Sequence, residues 1–250
     1  MLLNVSTWQE IESWLSKSKT IVVPIGSTEQ HGPNGFLGTD ALCPEIIAKH
    51  AEQGHEDEIL VAPTFNIGCA QHHLAFPGTI TLRPSTMIAS IVDWTDSLTR
   101  HGFERIYWFN GHGGNIDTIK TAFSEIHSKR SFDPAGETNR PDLKLKLVNW
   151  WDYKSVQTLC SELYPTGHGM HATASEVSVT YFAYPEYQKN VEMTPKIAPI
   201  GTISDAVQYR RDFPDGRIGS DPTQSNVEDG KRLVETSAAA LLEDVAKFSH

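Results

Sequence analysis

The chain has 250 residues, 39% of them hydrophobic and 21% charged, enough for one large α/β domain with a proper core and too apolar for wholesale disorder. Its formal net charge of -10 argues against a nucleic-acid or anionic-membrane partner held by bulk electrostatics. Cationic residues do cluster from Lys129 to Lys146, but Pro, Gly, Asp and Glu interrupt them, and a solvated loop is the better reading there.

In chain order, Met1 to Trp8 lacks the basic and long apolar regions of a signal peptide. Ser6 or Thr7 caps a short helix running to about Ser16, with acidic residues in its first turn. Ile21, Val22, Val23 and Ile25 make a buried strand that Gly26 stops. A helix is expected over 41–51, where Leu42, Ile46, Ile47 and His50 recur at helical spacing and Pro44 stands near the start. Ile59 to Phe65 reads as a second buried strand, residues 68–79 as a loop, and Ile80 to Leu82 as a short strand. Pro84 opens a helix to about His101, with Gly102 as its terminator.

Arg105 to Phe109 is then a strand, Gly111 to Gly114 a tight turn, and Asn115 the cap of a helix from Ile116 to about Lys129. Residues 131–142 read as irregular, and Leu143 to Trp150 as a fourth strand. Strands alternating with helices imply a mostly parallel sheet covered on both faces, with chemistry at the carboxyl ends of the strands. Cys43, Cys69 and Cys160 form neither a CxxC pair nor a disulfide framework, and no apolar run approaches the ~20 residues of a membrane helix. A soluble, cytoplasmic protein is expected.

Three stretches could carry chemistry. After the first strand come Glu29, His31 and Asp40 on backbone rich in Gly and Pro. Glu29 and His31 are two apart, so an extended segment points both the same way. Hard oxygens with an imidazole suit a divalent first-row metal, though a solvated polar loop is the plainer reading of the same residues. The second stretch is Asn110-Gly-His112-Gly-Gly-Asn115, where three glycines let the backbone come close to whatever the site holds. A phosphate nest or a packed turn histidine would also explain it, although neither nucleotide fingerprint fits. The third is His168-Gly-Met-His171-Ala-Thr-Ala-Ser-Glu176. His171 and Glu176 are five apart, so they converge only if His171 precedes the first turn of the helix that carries Glu176.

These stretches, with Pro24 to Pro33, Gly38-Thr-Asp40, His73 to Ile80 and the closing Gly219-Ser-Asp-Pro222 and Glu228 to Lys231, resemble the creatininase (creatinine amidohydrolase) family in order and spacing. The resemblance runs from about residue 20 to 235. It implies a creatininase-like three-layer α/β/α sandwich with a mostly parallel central sheet, here one domain over 1–250. It also implies two divalent metal ions per subunit (Zn, Mn or Fe), a small-molecule substrate, and a homo-oligomer, commonly a homohexamer. Carried over by position, Glu29, His31, Asp40, His112 and Glu176 are the metal-site residues, with Asp40 bridging. His171 handles protons, and Glu176 contributes to catalysis as ligand or through one. A metal-bridged hydroxide would then cleave the C–N bond of a cyclic amide, formamide or related substrate.

Gly113 and Gly114 stand where creatininases usually carry Tyr and Glu, and Gly167 where they carry a tryptophan. Thr173 and Val177 replace the more usual Gly and Thr. These positions point away from creatinine, toward the subgroup with formamidopyrimidine-nucleotide deformylases and the peptidase-like member that processes a redox-cofactor precursor. His73 is expected to line the site or position a loop, with a surface role equally open, His72 and His168 to be polar loop residues, and Trp150 or Trp151 to pack or stack on substrate. The contrasting function is a non-catalytic α/β protein that binds an anion or nucleotide at the Gly111–Asn115 turn.

Overall fold

A computed structural model describes residues 1–133 and 141–250. The irregular connection expected over 131–142 and the middle of the cationic cluster fall largely outside the described residues.

The first helix, α1 (Trp8–Leu15), starts at Thr7, whose hydroxyl accepts from Glu10 N while Glu10 accepts from Thr7 N. This reciprocal pair satisfies two donors that every helix start leaves open. Three parallel strands follow at long intervals: β1 (Thr20–Ile25), β2 (Arg105–Asn110) and β3 (Lys144–Asn149), in the order β1-β2-β3. The register aligns Ile25, Asn110 and Asn149 at the carboxyl edge.

β1 and β2 are buried on both faces, which is why they read as unbroken apolar runs, whereas β3 is partly buried and alternates Lys with Leu. Ile21, Val23, Ile25, Ile106 and Trp108 face α1, α3 (Pro84–Arg100) and α4 (Ile116–Ser131). Val22, Tyr107 and Phe109 face α2 (Thr39–Glu52), α5 (Lys154–Leu163), α6 (Ala174–Ala183) and α8 (Val227–Phe248). The result is the expected three-layer α/β/α arrangement. Trp108 is wholly buried, and truncating such a residue to Ala costs about 3–5 kcal/mol.

Some expectations need correction. Ile59–Phe65 is not a regular strand: Val61 bridges Leu2 and Val22, Phe65 bridges Ile25, and Pro63 between them has no N–H for the ladder. Ile80–Leu82 is likewise held by one antiparallel bridge, Thr28 to Ile80. Pro44 lies at the sixth residue of α2, inside the helix rather than at its start. Asn115 precedes α4 but makes no capping bond; its side chain accepts from Cys69 N and donates to Gly26 O, tying the loop after β2 to the loop after β1. The helices α5, α7 (Ala206–Asp212) and α8 lie where the sequence was not read as helical. Among the described residues, no helix is long and apolar enough to cross a membrane.

Candidate metal centre

The expected site residues gather at the carboxyl edge of the sheet. Asp40 enters from the first turn of α2, and Glu29 and His31 from the loop after β1. His112 comes from the turn after β2, which Asn110 fixes: its side-chain amide donates to His112 O and to Asn149 Oδ1. His171 precedes α6, as convergence required, and pairs with Ile218. Ala172, held at φ 55°, turns the chain sharply between His171 and the helix, a strained placement for a residue with a Cβ. Thr173 then caps α6, with Glu176 Oε1 accepting from Thr173 N. The Thr-x-x-Glu spacing of this capping box was a sequence signal for the helix start.

The five residues implied as the metal site, Glu29, His31, Asp40, His112 and Glu176, meet in one buried cluster. Asp40 Oδ1 lies 2.9 Å from His31 Nε2, and Asp40 Oδ2 lies 2.7 Å from His112 Nδ1. Glu176 Oε1 is 3.9 Å from His31 Nε2, and Glu29 Oε2 is 3.2 Å from His112 Nε2. Ligand atoms of Glu29, Asp40 and His112 all lie within 4.8 Å of one another, as do those of His31, Asp40 and Glu176. Asp40 therefore belongs to two groups, one on each of its oxygens.

Both Glu29 oxygens and Asp40 Oδ2 are buried with no aligned hydrogen-bond partner. Buried carboxylates so placed are costly unless a cation faces them. The imidazoles are poised to the same end. His31 Nδ1 lies 3.1 Å from Glu29 O, and His112 Nε2 lies 3.0 Å from Cys69 O. A carbonyl accepts a hydrogen bond from that ring N–H and leaves the other nitrogen to face Asp40, the arrangement of a metal-binding histidine. The donor set thus fits a divalent cation.

Protonation in the metal-free protein carries the same message. Burial opposes charge on His31, yet Asp40, Glu176 and Glu29 push its pKa up to about 10. His112 is likewise buried and raised to about 9 by Glu29 and Asp40. Burial works against ionised Asp40, but His31 and His112 hold its carboxyl well below the usual range. Burial raises Glu29, and raises Glu176 to about 7. Two imidazolium protons stand in for cations among three carboxylates.

Histidines beyond the metal set also converge. His171 Nδ1 is 3.8 Å from Glu29 Oε1, and burial followed by His31 pushes its pKa well down. His73 Nε2 is 3.1 Å from the same oxygen, and burial with His31 lowers its pKa to about 3. His73 therefore lines the site. His72 is buried, packs at a tilt against His73 and stacks on His112. His168 bonds Ser175 Oγ and stacks on Tyr164. Gln30, which the sequence did not single out, touches both His73 and His171. The Gly111–Asn115 turn faces Glu29 and Asp40, surroundings hostile to a bound anion.

A cleft of about 740 Å³ leads out from this cluster, walled by Trp150, Trp151, Tyr164, His168, Met170 and Ile203 among others.

The family profile described as creatinine amidohydrolase matches residues 4–245. A creatinine amidohydrolase of Pseudomonas putida is 25% identical over 96% of this chain and 94% of its own. A mycofactocin precursor peptide peptidase of Mycobacterium tuberculosis is 35% identical over 122 residues, 46% of this chain and 48% of that protein. Among solved structures, a manganese creatininase superposes with a TM-score of 0.82 at 23% identity, covering 99% of this chain and 98% of the other, a likeness of fold.

Proposed function

The chain belongs to the creatininase family, hydrolases that act on C–N bonds, and from that premise we propose that it is a binuclear metal-dependent amidohydrolase of 250 residues in one domain. The observation that carries the reading is Asp40. Its two oxygens face different histidines, each beside a different glutamate, at the centre of a buried and otherwise unneutralised acidic cluster. In this reading Glu29, His112 and Asp40 would hold one ion, and His31, Glu176 and Asp40 the other. A nitrogen-and-oxygen shell suits Zn, Mn or Fe, and a manganese creatininase shares the fold.

Such ions, when bound, supply Lewis acidity and an ionised water. The chain's own part is proton transfer, orientation and exclusion of solvent. His171 Nε2 donates to Gln30 O at 2.8 Å, which leaves Nδ1 bare on the side of Glu29, and burial keeps the ring neutral. It can therefore take up a proton and return it to the departing nitrogen, which leaves poorly as an anion. Thr173 fixes Glu176 through the capping pair.

Creatinine is not the favoured substrate. A Cβ at Gly114 would lie 2.4 Å from His112 Nε2 and 2.7 Å from Cys69 O, so a glutamate there could not coexist with this His112. At Gly113 a Cβ would meet open space, and nothing narrows the floor of the cleft. The 740 Å³ volume is that of a pocket for a larger ligand than a single small ring. A formamide such as a formamidopyrimidine nucleotide, or a peptide as the mycofactocin relative's name describes, fits better. Exposed Ile197, Ile200 and Val207 offer apolar surface for the homo-oligomer, a homohexamer on family likeness.

Metal analysis of protein purified without chelators, then a turnover screen of creatinine, formamidopyrimidine nucleotides and short peptides on metal-loaded enzyme, tests this. Full folding without stoichiometric metal would remove the reading.

A further inference from the structure

We propose that Gln30 is a positioning residue that fixes the His73 ring with its proton on Nε2, making His73 a hydrogen-bond donor at the site wall and not a metal ligand. This rests on the reading of the cluster as a metal centre, because distance alone admits the opposite: Glu29, His72 and His73 also bring ligand atoms within 4.8 Å of one another.

The hydrogen bonds around Gln30 decide the question. Its side-chain oxygen accepts from Gly32 N at 2.8 Å, and its amide nitrogen donates to Gly216 O at 2.9 Å. Those two partners set which end of the amide is nitrogen. The same nitrogen lies 2.9 Å from His73 Nδ1 and 3.0 Å from His171 Nε2. His171 Nε2 is 2.8 Å from the main-chain oxygen of Gln30. A lone pair facing that carbonyl would be repelled, so this nitrogen carries a proton and cannot accept one from the amide. The second amide hydrogen of Gln30 therefore goes to His73 Nδ1. A neutral imidazole that accepts on Nδ1 must carry its proton on Nε2.

That Nε2 is the atom 3.1 Å from Glu29 Oε1. His31, His112 and His171 each rest one ring nitrogen on a main-chain oxygen, which leaves the inward nitrogen as the one that can be bare when a cation faces it. His73 alone of these four rests on an amide donor, so its inward nitrogen keeps its proton in either state. One residue thus presents a base on one side of Glu29 through its main chain and a donor on the other through its side chain. The pairing requires Gly216, since a Cβ there would lie within van der Waals overlap of Gln30 Oε1, and φ is +88°. Tyr209 packs edge-on against His73 at 4.5 Å and donates to the same Gly216 O, holding the ring in plane with its partner.

The test is a two-bond proton–nitrogen correlation on the full chain, uniformly labelled with 15N-histidine, metal-free and zinc-loaded. The expected His73 signature is a bare Nδ1 and a protonated Nε2 in both states, while His31 and His112 change on zinc loading. A protonated Nδ1, or an Nε2 that takes the shift of a zinc ligand, would overturn the proposal. A Gln30→Leu protein should show His73 as a mixture of both tautomers and lose roughly 10- to 100-fold in kcat at unchanged zinc content. An unaltered tautomer in that protein would overturn the role of Gln30. Failure of zinc to bind the wild-type chain would count against the metal-site reading instead, and the metal-free spectrum would still decide the His73 tautomer.

Discussion

Metal loading should be a proton-release reaction, and the structure sets its size. In the metal-free protein His31 and His112 titrate at about 10 and about 9, so at pH 7 both are imidazolium. Each must surrender the proton on the nitrogen facing Asp40 before that nitrogen can bind a cation, while the other ring N–H, which donates to Glu29 O or Cys69 O, stays. Glu176, near 7, is about half protonated and gives up the remainder. At least two protons per chain, from the two rings, should therefore leave at pH 7 when both ions bind, with Glu176 and Glu29, whose carboxyls burial also raises, adding to them, and the release from the rings should fall away above pH 10. Apparent affinity should rise about tenfold per pH unit for each proton displaced. Calorimetric titration of zinc into metal-free protein, in buffers of differing ionisation enthalpy, measures both quantities. Stoichiometric binding with no release at pH 7, or a release unchanged between pH 7 and 10, would refute the assignment of these two rings.

The same raised values bear on stability. A group whose pKa is raised on folding stabilises fully below its unfolded pKa and loses that contribution as pH rises through the folded one. Metal-free protein should thus lose stability between pH 7 and 10, and the Tm gap to metal-loaded protein should widen over that window. Asp40→Ala should abolish stoichiometric metal and turnover together; normal turnover in that protein would remove Asp40 from the bridging role. Thr173→Ala deletes the cap of α6, costing about 1 kcal/mol in a denaturant titration, and loosens Glu176, so metal affinity should fall with it. Affinity unchanged at the lower stability would separate the cap from the site. Gly113→Tyr enters open space, so stability should hold within about 0.5 kcal/mol while KM for a large substrate rises. An unchanged KM would place the substrate elsewhere in the cleft.

The parts legible in the sequence share a physical cause. β1 and β2 are buried on both faces, so their apolar runs are continuous and their ends marked by Gly26 and Gly111. Ile59–Phe65 has the same look, yet pairing depends on where Pro63 falls against β1, which periodicity does not encode. Glu29, His31, Asp40, His112 and Glu176 stood out because metal chemistry restricts residue type and because their motifs come in a fixed order. Gln30 did not, and although His73 stood in a motif its part was not legible, since it lies in which ring nitrogen carries a proton. That is settled by contacts spanning 43 and 186 residues of chain. The helix start at Thr173 was written in its Thr-x-x-Glu spacing, although the left-handed Ala172 before it was not.

The site is also scattered along the chain in a way that fixes when it can appear during synthesis. Asp40 waits for His112, and both wait for α6 to deliver Glu176, after β1 has paired with a strand some 85 residues further on. Parallel pairings of that span are slow to close. A nascent chain stalled before residue 171 holds four of the five clustered residues, Glu29, His31, Asp40 and His112, and lacks Glu176 and His171. On the proposed binuclear reading, completion of the His31–Asp40–Glu176 group is therefore the late event, and a chain holding both ions would already have completed its sheet.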